Sequence, residues 1–507
     1  MKSIDLNDLF ILDLANNHQG DVGHGVNIIN ALGEVSKKLN VRAALKFQFR
    51  QLDTFIHPDC RDDENLKHIP RFLSTALSTD DYRTLTSTVR DQGMLTICTP
   101  FDEESVDVIL DMGIEIIKVA SCSASDWPLL QKIADTNRPV IISTAGLSLT
   151  KIDRIVSFME YHSVNFVLMH CVAIYPTPEE RLNLNQIELL RKRYPKISIG
   201  FSTHESPDNY DIIRVACAKG ARLFERHVGM GTDKYTLNGY SSTPEQIERW
   251  IQAYLETITI CGGEERGPAS PSETASLQSL MRGVYAAKKI KKGQEISRDD
   301  VFFAMPLQEK QLSSGNWSNG FTADCDYEPN QSLSNTLSTQ EVTDQERVFS
   351  IMLQVKGMLN NARISIGKDS SVEISHHYGL ERFREFGAVL IDIINREYCK
   401  KLIVMLPRQK HPYHFHKLKE ETFQLLWGDM EVELDGKQTK MNVGDTFLVK
   451  PDQWHKFHTL DGAIFEEIST THYNDDSYYE DEHIATLPRD FRKTKIPNWE
   501  DAQNLQL

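Results

Sequence analysis

The chain has 507 residues, 40% of them hydrophobic and 25% charged, with a formal net charge of −16. That length suits two to four domains and several cores. The acidic balance excludes a nucleic-acid backbone as the main partner, because clustered Lys and Arg would have to meet it; an anionic small substrate stays open, since a site needs only local positive charge.

The start, Met1 to Asn7, is polar and has no apolar signal core. No run of about 18 apolar residues occurs, so no membrane span is expected. Eight cysteines (Cys60, Cys98, Cys122, Cys171, Cys217, Cys261, Cys325, Cys399) are scattered without a CxxC pair. They read as reduced residues of a cytoplasmic protein.

Residues 1–262 alternate short apolar runs with amphipathic stretches. The runs fall at 9–15, 43–49, 94–100, 114–121, 139–145, 166–172, 197–203 and 222–228. They are rich in Val, Ile, Leu and Phe, as strands buried on both faces should be. Helical patterns lie between them, including 24–39 and 243–258, where Thr243, Pro244 and Gln246 form a start signal. Eight such units predict an α/β fold closed as a (β/α)8 barrel. A Gly/Pro/Ser-rich linker spans 261–273, and a small segment follows over 274–340 with a turn at Lys292-Gly293. Residues 341–398 read as a helical linker, with helices over 343–359 and 379–397. Residues 399–507 form an antiparallel β-domain with a polar, aromatic tail that packs on it; its strands alternate over 400–470, with turns at Gly428-Asp429, Asp435-Gly436 and Asp461-Gly462.

Barrel active sites sit at the C-terminal strand ends. Here those ends carry Asp13, Lys46, Gln48, Thr99, Lys118, Ser121, Ser143, Thr144, Ser202, His204, Glu225 and His227. Buried lysines are rare unless paired. Two facing one cavity, Lys46 and Lys118, repel unless an anion lies between them. A ligand with phosphate and carboxylate groups meets that need, with hydroxyls from Thr99, Ser121, Ser143 and Ser202. A single strand-end histidine is commonly structural, but His204 and His227 end consecutive strands and can converge on one divalent metal, such as Mn or Mg, in an open site.

The segments ILDLANNHQG, LKFQF, TPFDEESVD, IKVAS, IISTAG, LMHCVAIYPTP, IGFSTHE and FERHVG, in this order over about residues 9–260, resemble motifs of the sialic acid synthase family. GVYAAKKIKKGQEISRDDV resembles that family's antifreeze-like domain. The resemblance implies that phosphoenolpyruvate is condensed with an aldose in at least a homodimer. It implies that Lys46, Thr99, Lys118, Ser121, Ser143 and Ser202 hold phosphoenolpyruvate, that His204 and His227 hold the metal, and that Gln48 and Tyr175 face the sugar. Asp13 stands where the family has a catalytic Glu. The sugar side departs at Ala173, Thr203 and Asn238, and Met305 replaces an Arg that reads an N-acetyl group.

In HPYHFHKLKEE (411–421) and GDTFLVKPDQWH (444–455), His414 and His416 alternate on one strand face, followed by Glu421 and later His455. These resemble both motifs of the cupin superfamily, with Asp452 in place of a usual Gly. Three His and one Glu suit a second divalent ion: Zn, Mn, Fe or Ni. The flanking sequence resembles lyxose-isomerase-type sugar isomerases, which implies an isomerase or epimerase with Lys419 and Glu466 as acid/base groups. A cupin that only binds sugar stays open. So do a synthase acting on a different or phosphorylated aldose, for which no extra basic cluster is visible on the barrel loops, and a non-catalytic sugar sensor.

Overall fold

Eight parallel strands close on themselves in sequence order: β1 (Leu9–Asp13), β2 (Arg42–Phe49), β3 (Leu95–Pro100), β4 (Ile116–Val119), β5 (Val140–Ser143), β6 (Phe166–Cys171), β7 (Ile199–Thr203) and β8 (Leu223–His227). The structure is a computed structural model describing residues 4–263, 266–337, 343–473 and 475–503. Its chain divides into two units, Met1–Gly267 and Pro268–Leu507. The expected α/β barrel is the first.

Strand alternation sorts the barrel's residues. Phe10, Leu12, Leu45, Phe47, Ile117, Ile142, Phe201 and Phe224 point outward to the helices. Leu9, Ile11, Ala44, Ile97, Ile116, Ile141, Val167 and Leu223 point inward and form an apolar plug. On the same inner faces, one step nearer the C-terminal ends, stand Asp13, Lys46, Thr99, Lys118, Ser143, Ser202 and Glu225, all buried. Register keeps this polar layer level: Asp13 lies opposite both Lys46 and His227, and Ser202 opposite Glu225. The helix Pro244–Cys261 begins with the capping box of Thr243 and Gln246, and its buried Trp250 packs on Phe10 and Phe224.

The second unit begins with small strand pairs: β9 (Gly283–Ala286) with β11 (Val301–Ala304), and β10 (Glu295–Ile296) with β12 (Phe321–Thr322). Val284, Ile290, Ile296, Val301 and Phe321 form their core. Residues 338–342, where the sequence places the end of this segment, lie outside the described residues.

After the helix Asp344–Ala362 come β13 (Ser371–Ser375), β14 (Ala388–Asn395), β15 (Tyr398–Met405), β16 (His414–Phe415), β17 (Glu421–Gly428), β18 (Met430–Leu434), β19 (Lys437–Met441), β20 (Thr446–Val449), β21 (His455–His458), β22 (Ala463–Thr470), β23 (Tyr478–Tyr479) and β24 (Lys493–Ile496). They form a seven-stranded and a five-stranded antiparallel sheet. Ile403, Met405, Phe423, Val432, Phe457 and Phe465 fill one core. The helix's Ile351, Met352, Val355 and Leu359 cluster with Val372, Ile374, Leu402 and Val404 in another. Gly428, at φ +85°, is required: a Cβ there would meet the Gly462 carbonyl oxygen at 1.9 Å.

The expected helix over 379–397 is a correction. A short 3-10 turn at Leu380–Arg382 leads into β14, which pairs with both β13 and β15. β-branched Val389, Ile391, Ile393 and Ile394 suit that pleated setting better than a helix. The tail does pack on the β-domain: β23 and β24 join its sheets, and Trp499 and Ala502 enter the helix-facing core.

Candidate active site and metal centre

The inner face of β2 rises through Lys46 and Gln48 toward the barrel mouth. Lys46 Nζ lies 2.9 Å from Asp13 Oδ2 and 3.3 Å from Glu225 Oε1. Lys118 Nζ lies 3.5 Å from the same Glu225 oxygen and donates to Ser143 Oγ at 2.6 Å. Ser202 Oγ donates to Glu225 Oε1 at 2.9 Å. Glu225 therefore supplies the anion that the two lysines need, and the lysine pair does not by itself demand an anionic ligand.

Burial opposes the charge on all three groups, and the outcomes differ. Asp13 and Glu225 hold the Lys46 ammonium above its ordinary value. Lys118 falls below the ordinary lysine value, because burial outweighs the pull of Glu225. For Glu225, Lys118 and Lys46 overcome burial and keep the carboxylate well below its usual range. Thr99 Oγ1 is buried with no hydrogen-bond partner. A hydroxyl in that state costs stability unless a ligand satisfies it. Ser121 Oγ accepts from the Ala145 N–H at 3.0 Å.

The two histidines stand at one edge of this layer, ring centroids 5.2 Å apart. His204 Nδ1 lies 3.1 Å from the Val172 carbonyl oxygen. A carbonyl only accepts, so Nδ1 carries the proton and Nε2 keeps its lone pair. Burial, then His227, pulls His204 down to about 3, and burial also lowers His227. Both are neutral at pH 7, as a ligand must be. His227 Nε2 lies 3.4 Å from Asp13 Oδ2. Two neutral imidazoles beside a carboxylate are donors of the type a divalent ion takes, though among the described residues only the β-domain histidines bring three such atoms within 4.8 Å of one another. Gln48 Nε2 donates to Asp13 Oδ2 at 3.4 Å. Tyr175 packs on His204, with centroids 4.3 Å apart. Tyr240, absent from the sequence reading, meets His204, His227 and Tyr175 edge to face. It sits in a loop after β8, where no periodicity points to a site.

In the β-domain, His414 of β16 lies opposite His455 of β21, and alternation brings His416 beside them. The ligating atoms of the three lie within 4.8 Å of one another. Each Nδ1 faces a backbone carbonyl: His414 with Pro412 at 3.0 Å, His455 with Gln453 at 3.1 Å, and His416 with Asp476. All three therefore leave Nε2 as the lone-pair nitrogen. Glu421 Oε2 lies 3.1 Å from His455 Nε2, and neither atom has a hydrogen-bond partner. Two buried acceptors that close repel each other unless a cation joins them, so the set fits a divalent metal.

Lys419 pairs with Glu421, and with Glu467 at 2.9 Å. Burial opposes its charge, but the two carboxylates hold it above its ordinary value. The sequence candidate Glu466 is not brought to this pocket. Alternation along β22 turns it outward to Lys400 at 2.8 Å and turns Glu467 inward. Lys493 of β24 lines the same pocket, and burial lowers it to about 8 against the pull of Glu373.

The fold and the site define a (β/α)8-barrel protein with a lysine–carboxylate layer and a two-histidine edge, followed by a β-domain with a histidine cluster able to hold a metal ion. Residues 35–266 match the model of the NeuB family, and residues 401–466 match the cupin domain model. A crystal structure of a Chromobacterium violaceum protein assigned to spore coat polysaccharide biosynthesis is 43% identical, covering 66% of this chain and 100% of that one, with a TM-score of 0.62. The N,N'-diacetyllegionaminic acid synthase of Legionella pneumophila is 25% identical over 57% of this chain and 83% of its own. Human N-acetylneuraminate-9-phosphate synthase is 26% identical over 57% of this chain and 80% of its own. Through its barrel, the chain belongs to the NeuB family. No helix among the described residues is long and apolar enough to cross a membrane.

Proposed function

We propose that the chain condenses phosphoenolpyruvate with the open-chain aldehyde of an aldose, giving a 2-keto-3-deoxy sugar acid of the sialic-acid type and inorganic phosphate. The observation that carries this reading is the buried layer of Lys46, Lys118, Ser143, Ser202 and Glu225 beside neutral His204 and His227. Lys46 and Lys118 place cations against the anionic substrate, and unpartnered Thr99 Oγ1 offers it a further donor. The curated relatives, named for sialic and legionaminic acid synthesis, support the same chemistry. A divalent ion held by His204 and His227 would polarise the aldehyde.

The alkene carbon of phosphoenolpyruvate forms a C–C bond to the aldehyde carbon, and the aldehyde oxygen gains a proton. Water adds at the pyruvyl C2 and gives up one proton; the C–O bond to phosphate then breaks, C2 becomes the keto carbon, and the second proton of that water leaves with phosphate. Asp13 is the group we assign to those protons; its contacts with Lys46 and His227 support that role. Gln48 and Tyr175 orient the sugar.

The test is phosphate release from phosphoenolpyruvate across a panel of aldoses, including N-acetylated and phosphorylated ones, with added Mn. We expect release to need both an aldose and a divalent metal and to be abolished by His227→Ala. Lys46→Ala should raise the KM for phosphoenolpyruvate about ten- to a hundredfold, the effect of losing a charge-assisted contact. Full activity after chelation, or an unchanged KM, would overturn this reading. A sugar sensor would bind aldose and release no phosphate.

The β-domain is read as a second metal centre that isomerises or epimerises a sugar, with Lys419 and Glu467 as its acid/base groups; these two flank the histidine set in one pocket. Exchange of a sugar C–H proton with deuterated solvent tests it. The segment over β9–β12 is read as the antifreeze-like domain, with exposed Met305 in the place of that domain's Arg.

A further inference from the structure

The inner face of the seven-stranded sheet in the β-domain is charged well beyond the histidine set. Its strands follow one another in the order β17, β22, β15, β14, β13, β24. Register sets Glu467 of β22 opposite Lys401 of β15, and Lys401 opposite Asp392 of β14. Ser375 of β13 lies opposite Lys493 of β24. Lys401, His472 and Lys493 line the same pocket as His414, His416 and Glu421. The sheet therefore continues the donor set with cations toward its far edge.

The ion pairs on this face balance one another. Lys401 meets Asp392 at 3.2 Å, Lys419 meets Glu421 and Glu467, and Lys493 and Arg489 both meet Glu373. A divalent ion at the histidines adds positive charge that no carboxylate of this set is left to match. The shortfall is felt near Lys493. Burial draws that lysine down to about 8, and Arg489, which shares Glu373, adds to the fall. Both ring nitrogens of His472 are buried without a hydrogen-bond partner. Burial, then Lys401, Lys419, Lys493 and Arg489, pulls His472 down to about 2, so it is neutral and keeps one N–H with no acceptor. A buried donor in that state costs stability until a ligand satisfies it.

We infer that the β-domain binds a sugar acid, with the carboxylate between Lys493 and His472 and the sugar oxygens toward the histidine set. This rests on the reading of that domain as a sugar-handling metal centre and adds the class of its ligand. A carboxylate supplies the negative charge that the filled centre lacks and the acceptor that His472 lacks. The free space is about 40 Å³, which admits a planar carboxylate but not a whole sugar. Ser477 and Tyr479 of the tail line that space and have to shift to let the rest of the ligand in. The ligand class also orders the two reactions. The acid proposed as the barrel's product belongs to it and a neutral aldose does not, so the β-domain acts on a sugar acid after condensation rather than preparing the acceptor.

Calorimetry on the metal-loaded, full-length protein tests this with matched ligands: a neutral aldose, its uronic acid, its terminal phosphate ester and a 2-keto-3-deoxy sugar acid. Binding that disappears in the His416→Ala, His455→Ala variant is the β-domain's share, whatever the barrel binds. In that share the wild type should favour an acid over the neutral aldose and the phosphate ester by about tenfold or more in Kd. Lys493→Met should weaken acid binding about ten- to a hundredfold and leave the neutral aldose unchanged. Lys400→Met, whose pair with Glu466 lies on the outer face, should change neither. If Lys493→Met does not fold, as shown by its melting temperature, His472→Phe, which breaks no ion pair, should give the same loss. No acid preference in the wild type, a preference for the phosphate ester, or a preference that survives these variants would overturn the inference. Acid binding without exchange of a sugar C–H proton would leave the inference standing and overturn isomerisation. No sugar binding lost with the two histidines would overturn both.

Discussion

Glu225 shows how one side chain sets the state of its neighbours. It is the only carboxylate in ion-pair contact with Lys118 among the described residues, and it shares Lys46 with Asp13. Glu225→Gln keeps the shape and strands a buried ammonium, a change that costs about 3–5 kcal/mol when one partner of a buried pair is removed. The urea midpoint should fall accordingly. His18 supplies a pH test at a group that belongs to neither histidine set. It is fully buried, and burial, followed by Arg71 and His24, pulls it down to about 4. The unfolded chain takes up that proton near pH 6.5, while the folded chain waits until about pH 4. Stability is therefore complete above pH 6.5 and declines as the pH falls through this window, by about 3 kcal/mol for this group. Denaturation curves of His18→Gln should show a weaker pH dependence than wild type between pH 6.5 and 4. Residue type alone pointed to Lys46, Lys118, His204 and His227, because such groups are out of place at the ends of apolar strands. Glu225 was visible as one strand-end residue among several, but only register and side-chain reach show which lysines it neutralises.

Strands set which of two adjacent residues does chemistry. On β22, Phe465, Glu467 and Ser469 face inward, while Glu466 and Ile468 face outward. Glu467→Gln removes one of two carboxylates from buried Lys419 and should destabilise by a few kcal/mol. Glu466→Gln breaks a partly exposed pair with Lys400 and should cost less than about 1 kcal/mol. Equal effects in thermal melts would contradict the strand's orientation. The sequence pointed to Glu466 as the acid beside Lys419, one residue off the one that faces it, since a one-residue shift of phase exchanges the two sides. All eight barrel strands were legible because each is a continuous apolar run bounded by turn residues. The stretch AVLIDIIN was not, because a short apolar run has no period that separates helix from strand. Only its pairing with β13 and β15 decides the matter.

At the scale of the whole molecule, the two units carry separate cores and separate sets of donors. Metal analysis of the purified protein should therefore find two divalent ions per chain. A His416→Ala, His455→Ala variant should retain one, and a His204→Ala, His227→Ala variant should retain the other. Loss of both ions from either variant would refute independent centres. Light scattering should find at least a dimer. The histidine cage of the β-domain also has a history written into it. Its four donors are complete at His455, but His416 is steadied by the carbonyl of Asp476, whose carboxylate also accepts the N–H groups of Lys417, Leu418 and Lys419. During synthesis the cage therefore waits, open and unbraced, until a residue made 21 positions after its last donor leaves the ribosome. Ion capture in this unit becomes a late event in the life of the nascent chain, timed by its tail.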